Sequence, residues 1–167
     1  MLKAANVARY FLYLDNNREK FSDVLVSMNG KTFYKGSARL NKYLHIAQNL
    51  YIAKTGTKLF SEDLYAFDNG AVVPSVRERF ISLYRTVKDK PDIPQEYVAF
   101  LNKVYKILMN ATLEELVEIS HEDNEWRVRN PHRENQRMDS LSRVEEYRKQ
   151  YADILKIMDR MDMAGIY

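Results

Sequence analysis

Residues 39–80 read RLNKYLHIAQNLYIAKTGTKLFSEDLYAFDNGAVVPSVRERF. Leu40, Tyr43, Leu44, Ala47, Leu50 and Tyr51 recur at steps of three and four, the spacing of one helical face. Ile46 widens that arc, which predicts a helix buried on more than one side. The polar residues Asn41, His45, Gln48 and Asn49 fall at i, i+4, i+7 and i+8 and form one narrow stripe. Ser37 stands where an N-cap would open a helix over 38–54, and Gly56 where a C-terminal cap would close it. Next, Leu64-Tyr65-Ala66-Phe67 reads as a short strand, Asp68-Asn69-Gly70 as a turn, and Ala71-Val72-Val73 as the return. Pro74 suits the first turn of a further helix, where its missing N–H is not needed, and Val76, Phe80, Leu83 and Tyr84 continue that helix.

The flanking segments look too short or too amphipathic to stand without this unit. Residues 2–14 form an amphipathic helix, stopped by Asp15-Asn16-Asn17. In 21–34, Val24, Val26 and Met28 alternate with Leu25 and Ser27, and Asn29-Gly30 is the dipeptide of a type I′ turn. A hairpin returning through Lys31–Tyr34 is favoured over a helix across 18–28. Residues 87–94 (VKDKPDIP) are a connector, and 95–110 a helix with Tyr97, Phe100, Leu101, Val104, Tyr105 and Leu108 on one face. Thr112-Leu113-Glu114-Glu115 and Ser142-Arg143-Val144-Glu145 are capping boxes, each opening a helix. Arg127 to Asp139 reads as an irregular, arginine-rich surface segment. Val144, Tyr147, Tyr151, Ile154, Met158 and Met161 form a seam for packing on another helix, of this chain or of a partner. The fold class is mainly α (α+β): a single helical domain over 1–167 with one or two short antiparallel β-hairpins.

Composition excludes much chemistry. The 167 residues include no cysteine, so disulfide scaffolds, thiol catalysis and thiolate-bound zinc are ruled out. No apolar run approaches the 18 or so residues of a membrane span, and the N-terminus lacks the pattern of a signal peptide, so a cytoplasmic location is expected. The net charge of +3 permits polyanion binding without calling for it. The five glycines build no phosphate-cradling loop, and no serine sits in a nucleophile elbow. The three histidines, His45, His121 and His132, are never four apart, and the sequence after His121 lacks the second histidine of a zinc-protease motif. The chain is therefore expected to be no enzyme and to need no metal or other cofactor.

Charge is segregated late in the chain. Glu114, Glu115, Glu118, Glu122, Asp123 and Glu125 are followed by Arg127, Arg129, Arg133 and Arg137. Such runs most often pair with each other or solvate a surface. They also suit docking, because a guanidinium recognises carboxylate and phosphate alike. The arginine run lacks interleaved aromatics, which disfavours nucleic acid without removing it.

A family resemblance rests on the opening stretch. Leu40, Lys42, Tyr43, Leu44, Ala47 and Gln48, then Asp63-Leu64-Tyr65-Ala66, Gly70, Val72, Val73 and Pro74, and later His121 and Trp126, resemble the Panacea domain. This is the SocA-like antitoxin family, which includes phage-associated proteins of the GepA type. Asp68-Asn69-Gly70-Ala71 departs from the family's aromatic-glycine-proline turn, and nothing after Arg127 matches a motif. The resemblance implies a non-enzymatic, protein-binding antitoxin that neutralises a toxin partner by direct contact, in a phage or prophage setting. A protease adaptor and a nucleic-acid-associated phage regulator are the alternatives. The contact surface is expected near the second hairpin and the acid–arginine boundary, with Tyr65, Phe67, Arg127, Arg129 and Arg133 as anchors, since aromatics and arginine dominate hot spots.

Overall fold

The computed structural model describes residues 1–130 and 135–166. Helix α1 spans Ala4–Leu14 and ends at Asp15, whose carboxylate accepts from the Lys20 and Phe21 amides at 2.9 and 2.8 Å. Strands β1 (Leu25–Met28) and β2 (Lys31–Tyr34) form an antiparallel hairpin. Asn29 and Gly30 take the positive φ values, 53° and 76°, that a type I′ turn demands.

The central helix α2 runs Lys35–Thr55 and begins three residues before the sequence pattern places it. Ser37 is not its cap. The helix grows directly out of β2, and its first amides are satisfied by backbone: Lys35 N donates to Val24 O and Gly36 N to Ser22 O. A side-chain cap is unnecessary where carbonyls of the preceding hairpin fill that role. At the other end the Gly56 amide donates to Ile52 O.

Strands β3 (Tyr65–Phe67) and β4 (Gly70–Val72) form the second hairpin, with Phe67 opposite Gly70. Pro74 opens α3 (Pro74–Glu78) at its first turn. The predicted single helix here is broken at Arg79, and α4 (Phe80–Thr86) continues after it. Helix α5 covers Gln95–Leu108. Helix α6 (Leu113–His121) is capped by Thr112, whose hydroxyl accepts from Glu115 N at 3.1 Å.

The segment after His121 is more ordered than its composition suggests. Asp123 caps α7 (Asn124–Arg129), and β5 (Gln136–Arg137) adds antiparallel to β3, placing Tyr65 opposite Arg137. Tertiary pairing overrides the polar, proline-interrupted pattern. Arg133 and His132 lie outside the described residues. The second capping box does not form: Ser142 Oγ donates to Asp139 O inside a 3-10 turn over Ser140–Arg143. Helices α8 (Val144–Gln150) and α9 (Ala152–Met163) follow, divided at Tyr151.

Helix α2 is the pillar. Helices α1, α5, α6 and α8 pack around it, and Leu40, Tyr43, Leu44, Ile46, Ala47 and Leu50 are fully buried. Phe11 and Phe21 meet the Tyr43 ring edge-on at 5.5 and 4.9 Å. The C-terminal seam folds back on this chain, with Tyr147, Tyr151 and Met158 buried in the same core. Among the described residues no helix is long and apolar enough to cross a membrane.

Candidate interaction site

The polar stripe of α2 is buried along its whole length and works as a row of fastenings. Asn41 accepts from Val73 N at 2.9 Å and so clamps the end of β4. Gln48 accepts from Leu59 N at 2.7 Å and donates to Phe60 O, holding the loop that leads to the second hairpin. His45 Nε2 and Asn49 Nδ2 both donate to Asp123 Oδ2, at 2.7 and 2.9 Å, and Tyr147 OH donates to the same carboxylate. Burial alone would raise the Asp123 pKa, but the bonds from His45, Asn49 and Tyr147 together hold it below the usual carboxylate value. His45, Asn49 and Asp123 are sealed from solvent, so the cluster binds α2, α6–α7 and α8 together and offers no surface to a ligand.

His121 and Trp126 secure the second hairpin from the other side. Their rings stack at 4.0 Å, and Trp126 Nε1 donates to Phe67 O at 2.9 Å. Burial, and then the Lys42 ammonium nearby, keep the His121 imidazole below the usual histidine pKa.

The two hairpin turns meet at their tips. Asn29 Nδ2 donates to Asn69 Oδ1 at 2.6 Å, and Lys31 pairs with Asp68 at 2.9 Å. Beneath these contacts lies a small cavity of about 80 Å³, walled by Phe33, Ala38, Phe67 and Val72. Lys42 lines it. That side chain is only 3% exposed, and among the described residues its ammonium has no hydrogen-bond or ion-pair partner. Burial pulls its pKa down to about 8. Gly70, at φ 125°, makes room for it: a Cβ there would collide with Lys42 Nζ and stand 2.8 Å from Cε. On the rim, the Arg77 guanidinium lies 5.1 Å from the centre of the Phe67 ring.

The anchors expected from sequence fall into different settings. Tyr65 and Phe67 are half-buried on β3, and Phe67 also forms part of the cavity wall. Arg127 is exposed on α7, its Nε donating to His121 O at 2.6 Å. Arg129 is committed inward, its Nε 3.1 Å from Glu125. Glu125 is itself buried and also holds Arg143 and the Asp139 amide, so the acid–arginine boundary is partly an internal network. The Trp126–Phe67 bond brings α7 beside the hairpin, which places Arg127 near Phe67 in the fold. The residues sequence reasoning passed over are Lys42 and Glu125. Lys42 had one signal: it lies four before Ile46 on the arc read as buried, a position where a lysine is out of place.

A family model described as antitoxin SocA-like, Panacea domain, matches residues 40–127. No curated protein and no solved structure matches the chain.

Proposed function

The chain belongs to the SocA-like antitoxin family defined by the Panacea domain, and from that membership we propose that it is a non-enzymatic interaction protein that neutralises a toxin partner by covering it. Family membership is the observation that carries this reading. The surface best suited to the contact is the outer face of the two hairpins with the neighbouring side of α7. There Tyr65 and Phe67 are half-buried, and Arg127, which follows the Trp126 that bonds Phe67 O, is exposed; these are residue types that dominate protein hot spots. Leu25 of strand β1 and Val24 just before it add exposed apolar area beside the two-stranded sheet, of the kind partners cover. We take residues 127–166 as part of the same working unit, because β5 extends the second hairpin's sheet and α8 packs on α2.

Co-expression tests this. The product of the adjacent gene, in a phage or prophage setting, should arrest growth alone and be harmless with this chain, and the two should co-purify. Arrest that persists with this chain well expressed, with no co-purification, would overturn the reading.

A further inference from the structure

The cavity between the hairpins has an unusual floor. A lysine buried in a fold loses most of its hydration, which is costly where no protein partner replaces it. Lys42 is in that position, with its tip against Gly70 and its side chain lining the cavity. The first turn of α2, through Ser37 and Ala38, forms another wall. Arg77 stands at the rim. The one acid of the lining, Asp68, is already paired with Lys31. His121 is close by, and its buried Nε2 has no partner among the described residues.

We propose that this cavity receives a carboxylate, from an acidic side chain or C-terminus of the partner polypeptide, and that Lys42 supplies its counter-charge. The site holds one uncommitted buried cation, which matches a monoanion. A phosphate dianion would bring a second charge close to Asp68. About 80 Å³ accommodates the head of one side chain, several times the room one water needs. The apolar walls Phe33, Phe67 and Val72 suit the methylenes behind it. This inference rests on the antitoxin reading for the source of the carboxylate, but not for its chemistry.

The test uses the full chain. Lysine ε-methylene resonances are followed by NMR at pH 7 during titration with sodium acetate and, separately, with inorganic phosphate. Acetate should shift the Lys42 signal and the Gly70 amide saturably, and raise the Lys42 pKa from about 8. The Gly70 response should vanish in Lys42→Met. A response to phosphate alone, or to neither ion, overturns the carboxylate assignment. In co-expression, Lys42→Met with an intact melting transition should lose at least tenfold of the protection that wild type gives. Protection equal to wild type overturns the pocket's role in partner binding and leaves the antitoxin reading standing. If wild type itself gives no protection, the antitoxin reading falls with the partner source, and the acetate titration decides the carboxylate site.

Discussion

His45 and Asp123, 78 residues apart in the chain, meet at 2.7 Å with both side chains fully buried. The bond ties the middle of the central helix to the cap of α7. Through Tyr147, which donates to the same carboxylate, it also ties in α8. Three segments distant in sequence thus depend on one acceptor, and that acceptor is needed because each donor is out of reach of water.

Removing that acceptor should be severe. Asp123→Ala takes the acceptor from His45 Nε2 and Tyr147 OH and leaves Asn49 Nδ2 with only the Tyr151 hydroxyl, at 3.2 Å. The expected loss is about 3–5 kcal/mol, the range for breaking a buried charged network, read from urea midpoints. The carboxylate's pKa is lowered in the fold, so its contribution is complete above its unfolded value of 3.8 and is lost as pH falls through the lower folded value. Asp123→Asn should therefore flatten the acid limb of the stability–pH curve below about pH 4, while also costing stability at neutral pH.

Lys42 also has a lowered pKa and so also makes stability rise with pH, but its removal should stabilise where removal of Asp123 destabilises. Its folded pKa, about 8, lies below the ordinary 10.5, so between those values the unfolded chain binds the extra proton and stability rises with pH. The charged and titratable groups around it are Lys31, Asp68, Arg77 and His121. Above pH 10 the unfolded chain's tyrosines ionise while Tyr43 and Tyr147, their pKa values raised by burial, stay neutral, which reverses the slope. The informative window is therefore about pH 8 to 9.5. Lys42→Met should abolish the rise there and gain up to about 3 kcal/mol at pH 7. A variant less stable than wild type at pH 7 would contradict the unpartnered ammonium.

Gly70 and Lys42 should prove energetically coupled. Gly70→Ala places a side chain at φ 125° and against the lysine tip, for a loss of more than about 1 kcal/mol. In Gly70→Ala/Lys42→Ala the collision with the lysine is gone, and the backbone strain and a tight 3.1 Å approach to Ser120 Oγ remain. A double-mutant cycle by thermal or urea unfolding should give a coupling of about 0.5–3 kcal/mol favouring the double variant. Strict additivity would mean the two residues do not share the space.

Much of this could be read from the chain because the signals were local. Asn29-Gly30 fixed the first hairpin through its own backbone demands, and Pro74 marked the start of α3. The periodicity of Leu40 to Tyr51 located the pillar and its buried stripe. What was illegible depended on distance. Ser37 and Ser142 have the composition of caps, but the carbonyls of Ser22 and Val24 serve α2, and the hydroxyl of Ser142 turns back to Asp139. The strand at Gln136–Arg137 exists because Tyr65–Ala66 offers it an edge. Of the candidate site, the hairpin aromatics were visible. The inward commitment of Arg129 and the burial of Lys42 depend on partners that no local pattern names.

The sharpest test of the proposed contact face separates Arg127 from Glu125. Arg127 is exposed, and its one described bond is to a backbone carbonyl, so Arg127→Ala should change stability by no more than about 0.5 kcal/mol. Tyr65→Ala should cost more, because the ring is half-buried, yet leave a cooperative melt. Glu125→Ala strands Arg129 and the Asp139 amide, leaves Arg143 with Glu146 alone, and should cost about 3 kcal/mol, as for a buried ion network losing its centre. If α7 and the hairpin form the docking face, Arg127→Ala and Tyr65→Ala should weaken toxin protection and co-purification by at least tenfold at unchanged protein level. Glu125→Ala should lose protection only in step with its lower abundance. Full protection by Arg127→Ala and Tyr65→Ala together would move the contact elsewhere on the molecule, with exposed Val24 and Leu25 the next residues to substitute.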